Sequence, residues 1–325
     1  MTISISIVIP TRNRSNLLRR AVDSLINQNF SAIELIVVDD GSDPEHQEKN
    51  EAIAREAGDQ VRYIFLPQRF NGAGGGPGTA RNAGVKASNG AVVGFLDDDD
   101  EWVPVGFLPT VAELFLGHEE LDFLIADQKT VFQGVCLREH YQPQLRARLS
   151  KCKRMGEDVY EITRADAFTA DLWMAQLNSC VFRRSFYEAL EGSNDRLHYA
   201  EDRDLYVRAL DRARKVCYLD RVVAVHHRAD RALGMNLSSI PLVTQTSTAI
   251  GVANELIRNC ESREAREFAR RWAASDARDL TRAVAKELGT TRAAIWARLA
   301  FAYRPSLKWG LYALWLSIRG ALAKH

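Results

Sequence analysis

The residues best equipped for chemistry lie in one unusual run, "VVGFLDDDDEWVP" from Val92 to Pro104, where an apolar segment passes straight into Asp97, Asp98, Asp99, Asp100 and Glu101. Adjacent carboxylates repel one another, so the run calls for a compensating charge. A solvated acidic turn is the commonest fate of such a cluster, but this one follows an apolar strand directly and is closed by Trp102 and Pro104. An EF-hand calcium loop would need DxDxDG spacing and a glutamate at its twelfth position, and neither is present. A Mg²⁺ or Mn²⁺ site fits better, because such an ion takes one or two carboxylates and fills its other positions with water and substrate phosphates.

Five further clusters carry polar chemistry. "PTRNR" (Pro10, Thr11, Arg12, Asn13, Arg14) and "DDGS" (Asp39 to Ser42) each close an apolar run. The glycine-rich "NGAGGGPGTARNAG" (Asn71 to Gly84) fits neither GxxxxGK[ST] nor GxGxxG, so it reads as a flexible turn and not as a known phosphate cradle. Arg81 and Asn82 open the helix that follows, whose N-terminal NH groups favour anions. "EDRD" (Glu201 to Asp204) reads, taken alone, as the acidic first turn of a helix near the positive end of its dipole. His226 and His227 form an adjacent pair of which either ring, or neither, can face the acidic run.

The elements that must position these residues follow from hydrophobic period. Strands are expected over Ile3–Ile9, Glu34–Val38, Arg62–Leu66 and Ala91–Leu96, and helices over Ser15–Asn27, Glu45–Ala57 and Thr79–Ala87. That alternation predicts an α/β fold, a mostly parallel sheet with helices on both faces. Ligands of such sheets bind outside the carboxyl ends of the strands. The three polar clusters that close strands therefore share one rim and one pocket. Between Glu120 and Arg228 the pattern is mixed, with strand-like "DFLIAD" and "SCVFRR" and a helical "EDRDLYVRAL". Beyond Pro241 it is helical, which predicts a body over 1–240 and an α-helical region over 241–325.

Composition excludes some classes. The 325 residues carry 43 Lys and Arg against 42 Asp and Glu, a net charge of +1, which argues against a nucleic-acid partner. Five widely spaced cysteines without a CxxC pair indicate neither a zinc site nor a disulfide framework, so reduced thiols in the cytoplasm are expected. The N-terminus lacks the basic region of a signal peptide. No apolar run reaches the roughly 18 residues of a membrane-spanning helix.

In order and spacing, "ISIVIPTRNRSNLLRRAVDSLINQ", "ELIVVDDGS", "GPGTARNAG", "VGFLDDDDEWVP", "LNSCVFRRSFYEAL" and "AEDRDLYVRAL" resemble glycosyltransferase family 2, inverting enzymes of the GT-A fold. The resemblance covers residues 3 to 230. It implies a metal-dependent transfer of a sugar from a nucleotide-diphospho-sugar, of UDP or dTDP type, to a glycan or lipid-linked acceptor. It also implies roles by position. Pro10 to Arg14 and Asp40 line the pocket for the base and ribose, where Arg12 stands in place of a frequent tyrosine. Arg81 serves the diphosphate. The DxD motif falls on Asp97, Asp98 and Asp99, with Asp99 and Asp97 as metal ligands for Mn²⁺ or Mg²⁺; Asp98, Asp100, His226 and His227 are the other candidates. Asp202 is the general base, and Glu201 and Asn178 lie on the acceptor side. A sugar-phosphate nucleotidyltransferase shares the sheet and the metal, but wants a glycine-rich, arginine-bearing loop directly after the first strand. A degenerate, non-catalytic scaffold is opposed by the intact DxD and Asp202.

From Gly289 to His325 there is no acidic residue, while Arg292, Arg298, Arg304, Lys308, Arg319 and Lys324 are interleaved with aromatic and aliphatic side chains. Such a segment can lie on an anionic membrane surface, which would place the protein on the inner face of the cytoplasmic membrane. The other reading packs these helices on the body or on a second copy, giving a homo-oligomer.

Overall fold

The computed structural model describes residues 3–68, 74–168, 174–228 and 240–322. Part of the glycine-rich loop (71–73), residues 229–239 and Lys324 fall outside the described residues. The chain divides into two compact units, Met1–Ala229 and Asp230–His325.

The first unit begins with β1 (Ile5–Thr11), α1 (Ser15–Ile26), β2 (Ile33–Asp39), α2 (Pro44–Glu56), β3 (Val61–Phe65), α3 (Pro77–Ala87) and β4 (Val92–Phe95). Every element expected here from hydrophobic period is present, with ends displaced by no more than two residues. The chain continues through β5 (Glu101–Trp102), α4 (Phe107–Gly117), β6 (Leu121–Phe132), β7 (Val135–Arg138), α5 (Pro143–Arg146), β8 (Lys153–Arg154) and β9 (Val159–Ile162). It then forms α6 (Arg164–Ala167), β10 (Cys180–Arg183), α7 (Arg184–Ala189), α8 (Glu201–Arg212) and β11 (Lys215–His227).

One mixed sheet runs in the order β3-β2-β1-β4-β10-β6-β11-β9-β8, with β5 added on β11 and β7 on β6. The β3-β2-β1-β4 half is wholly parallel. Antiparallel β10 joins it to β6, which runs parallel to β11. All seven residues of β1 are buried, as suits a strand covered on both faces. Ile5, Ile7 and Ile9 pack with Leu18, Val22 and Leu25 of α1 and with Phe107 and Val111 of α4. Burying each such side chain contributes about 1.5–3 kcal/mol. On the other face α3 crosses so closely that a Cβ on Gly84 would overlap Val8. β1, β2 and β4 thus end side by side, which brings "PTRNR", "DDGS" and the acidic run to one rim.

Among the described residues the second unit is four helices, α9 (Leu242–Asn259), α10 (Arg263–Glu287), α11 (Thr290–Tyr303) and α12 (Leu307–Leu322). Ser262 caps α10 by accepting from the Ala265 NH at 3.2 Å. Its core joins Ile250, Leu280, Val284 and Leu316 to Ala277, Ala293, Ala297, Ala300 and Ala313, small residues that let helix axes approach closely.

Candidate active site

The acidic run is the turn between β4 and β5. Asp100 NH donates to the Asp97 carbonyl at 3.1 Å, closing the turn. Glu101 and Trp102 then pair antiparallel with Val225 and Ala224 of β11. Trp102, 2% exposed, anchors the far side: its NH donates to Ser24 Oγ at 3.0 Å and its indole to the Asn178 carbonyl at 2.7 Å.

The four aspartates alternate in exposure. Asp98 and Asp100 are 0% and 1% exposed, whereas the side chains of Asp97 and Asp99 retain 32% and 23%. Asp98 accepts from Thr11 Oγ1 at 2.7 Å and pairs with Arg14 at 2.9 Å. Burial pushes its carboxyl up to about 7, with the Arg14 charge opposing. Asp100 accepts from the His227 NH at 2.7 Å, from Asn178 Nδ2 and from His226 Nδ1 at 3.1 Å. Burial lifts it to about 6 against the pull of His226. His226 pays for its own burial with a lowered affinity for the proton, but Asp100 more than offsets that and raises its pKa. His227 reaches Glu101 at 3.0 Å through Nε2. Both rings thus face the acidic turn.

Cations hold the two exposed carboxylates. Arg14 Nη1 donates to Asp99 Oδ2 at 2.8 Å, and Arg20 of α1 donates to the Asp99 carbonyl. Arg81, 4% exposed on α3, donates from Nη2 to Asp97 Oδ1 at 2.7 Å and from Nη1 to Glu201 Oε1 at 3.1 Å. Burial alone would lower the Arg81 pKa, but Asp97 and Glu201 outweigh it and raise it. Glu201 is pushed up to about 7, first by burial and then by the charge of Asp202 beside it. Asp202 stands in the first turn of α8, its Oδ1 accepting from the Arg203 NH at 2.8 Å. The left-handed Ala200 (φ 65°) turns the chain into that helix.

At the β2 end, Asp39 is consumed structurally, accepting from the Ser42 NH, Asn50 Nδ2 and Tyr63 Oη at 2.7, 2.8 and 2.9 Å. Asp40 accepts the Gly75 and Gly76 NH groups, both at 2.7 Å, so the glycine-rich loop is tied down here. A Cβ on Gly74 would collide with the Asp40 carboxylate, which explains why glycine stands there. Asn13, at φ 54°, donates its NH to Ser42 Oγ at 2.9 Å and exchanges hydrogen bonds with Asp43, locking "PTRNR" onto "DDGSD".

The family model described as Glycosyl transferase family 2 matches residues 6–188, more than half of the chain. The chain belongs to glycosyl transferase family 2. An uncharacterised glycosyltransferase of Nostoc is 34% identical over 136 residues, 40% of each chain. A Campylobacter jejuni GalNAc(5)-diNAcBac-PP-undecaprenol beta-1,3-glucosyltransferase is 37% identical over 97 residues, 30% of each chain. These matches span less than half the length of either curated relative. Among solved structures, S. aureus TarS 1-349 in complex with UDP-GlcNAc superposes with a TM-score of 0.66 at 20% identity, over 93% of this chain and 80% of that one. Mannosyltransferase PcManGT from Pyrobaculum calidifontis, in complex with GDP-Man and Mn²⁺, gives 0.58 at 16% identity over 100% and 89%. The fold is that of GT-A-like enzymes.

Set in the family 2 frame, contacts to the acidic turn tie together Thr11, Arg14, Arg81, Asn178, His226 and His227, and Arg81 adds Glu201, with two of these residues in unexpected postures. Arg81, expected at the diphosphate, has both Nη atoms committed to Asp97 and Glu201. Asn178, expected on the acceptor side, spends its amide on the turn, accepting from the Asp97 NH at 2.9 Å while donating to Asp100. Sequence reasoning missed Arg20, whose only signal is a place on the polar side of α1. It also missed Tyr141, whose pKa is raised by burial and then by the charge of Asp202. Tyr141 lies outside every motif, so no local signal marks it.

Proposed function

We propose that this family 2 protein is an inverting glycosyltransferase that moves a sugar from a nucleotide-diphospho-sugar, of UDP or dTDP type, to a hydroxyl of a glycan or lipid-linked acceptor. The observation that carries the reading is the Arg81 bridge. By pairing with both Asp97 and Glu201 it holds the DxD turn beside the first turn of α8, where Asp202 stands. A structural acidic turn has no need of that second carboxylate helix.

In this reading Pro10 to Arg14 and Asp40, on the rim beside the turn, receive the base and ribose. The acceptor oxygen attacks the anomeric carbon from the side opposite the diphosphate, Asp202 takes the hydroxyl proton, and the bond to the diphosphate oxygen breaks with its electrons leaving on phosphate. Glu201, held by Arg81, fixes the start of α8 so that Asp202 meets the acceptor hydroxyl. Release of one Arg81 contact would free a guanidinium for the developing negative charge on the diphosphate.

Hard carboxylate oxygens and partial exposure suit Asp99 and Asp97 to Mn²⁺ or Mg²⁺, and each has one oxygen not taken by its arginine. Asp98 and Asp100 are buried braces of the same turn. No cluster of three His, Cys, Asp or Glu among the described residues forms a ready-made cage, which accords with an ion that takes only one or two protein carboxylates. When bound, that cation would supply charge neutralisation for the departing diphosphate. A lipid-linked acceptor would bring the enzyme to a membrane surface; no helix among the described residues is long and apolar enough to cross one. The test is nucleotide release from a panel of donor sugars with Mn²⁺ present. Turnover of at least one donor is expected; no turnover together with no nucleotide binding by calorimetry would sink the proposal.

A further inference from the structure

The outward face of α12 is apolar from end to end. Leu307, Leu311, Leu314, Trp315, Ile318 and Leu322 are 47–81% exposed. At about 100° per residue their spacing gathers all six on one arc of the helix. The opposite side, Ala313, Leu316 and Gly320, is buried, and Ala313 and Leu316 join the core of the second unit. A surface helix ordinarily turns its polar side to water, whereas α12 is apolar on its outward face as well as on its buried one.

Cations border this strip on both sides. Lys308 and Arg319 lie along one edge, where the Arg319 guanidinium stacks 4.9 Å above the Trp315 ring. Along the other edge Arg298 of α11 donates to Ser317 Oγ at 2.9 Å. The segment itself, residues 289–325, contains no Asp or Glu.

We propose that this face docks on an anionic lipid bilayer, with α12 lying in the headgroup plane, its leucines, Ile318 and Trp315 in the acyl boundary and its basic edges on lipid phosphates. An apolar strip flanked by cations and carrying an interfacial tryptophan is the chemistry such a surface recognises. At 16 residues α12 is about 24 Å long, short of the roughly 30 Å hydrocarbon core, so it lies on the bilayer and does not span it. A second copy of the chain fits less well. A two-fold pairing of α12 with itself would set basic edge against basic edge with no carboxylate between them. The inference deepens the placement of the enzyme at a membrane surface, and its test uses no donor or acceptor, so its failure is separate from failure of the transfer reading.

The experiment is co-sedimentation of the full chain with vesicles of phosphatidylcholine alone or mixed with phosphatidylglycerol, alongside light scattering without lipid. The wild-type chain is expected to bind the anionic vesicles, to bind the zwitterionic ones far more weakly, and to be monomeric without lipid. Leu311→Glu with Ile318→Glu, both surface positions, is expected to reduce binding at least about tenfold while leaving the melting temperature unchanged. Lys308→Glu with Arg319→Glu is expected to erase the preference for anionic lipid. Absence of wild-type binding, undiminished binding of Leu311→Glu/Ile318→Glu, or a lipid-free dimer that this variant splits would overturn the proposal.

Discussion

Alternation of exposure divides four chemically identical side chains into two jobs. Asp98 and Asp100 brace the turn from inside, and Asp97 and Asp99 stay partly exposed. Asp98→Ala strands Thr11 and Arg14 beside a buried gap, so denaturant unfolding should show a loss of about 3 kcal/mol. Asp99→Ala should cost under about 1 kcal/mol at its partly exposed site yet weaken Mn²⁺-dependent donor binding at least tenfold by calorimetry, the order of one lost charge-assisted contact. Chelation of divalent ions should imitate the second variant and not the first. The clustering of carboxylates was legible in the sequence, but their division was not. It depends on Asn178 and on the His226–His227 end of β11, which reach the turn from about 80 and 126 residues away.

At the scale of elements, hydrophobic period located the strands and helices of the parallel half because each is a separate amphipathic or fully apolar run. It did not reveal β5, a two-residue strand, or the full length of β11, whose partners β6, β9 and β5 are all distant in sequence. The rim opposite the site has its own clamp. Glu34 of β2 accepts from Ser6 of β1 at 2.7 Å, from the Asn89 NH at 2.8 Å and from Arg62 of β3 at 2.8 Å. Burial raises its pKa, but these donors, led by the Asn89 NH, prevail and hold it below the ordinary 4.5. A depressed carboxylate contributes stability that is present above the unfolded pKa and is lost as pH falls through the folded one. Glu34→Gln should therefore lower stability by about 1–2 kcal/mol at neutral pH, and the gap between variant and wild type should close as pH falls below 4.5. A gap independent of pH would show that the charge does not hold this rim.

The whole molecule is two units, each with its own apolar core. A chain ending at residue 240 should keep the sheet's circular dichroism and bind nucleotide in calorimetry, while losing whatever the helices add; a truncated chain that is unfolded would tie the sheet's stability to the helical unit. The change to helix near Pro241 was readable from periodicity, whereas the exposure of an apolar face of α12 was not, because sequence alone does not say which side of a helix its neighbours cover. Transfer chemistry is the central claim, and Asp202→Asn tests it most directly in a single-turnover assay on a competent donor with Mn²⁺. Removing the general base should slow sugar transfer by roughly 10²–10⁴-fold while the donor dissociation constant stays within a few-fold of wild type. Near-normal turnover by Asp202→Asn would contradict the assignment of the base and the account built on it.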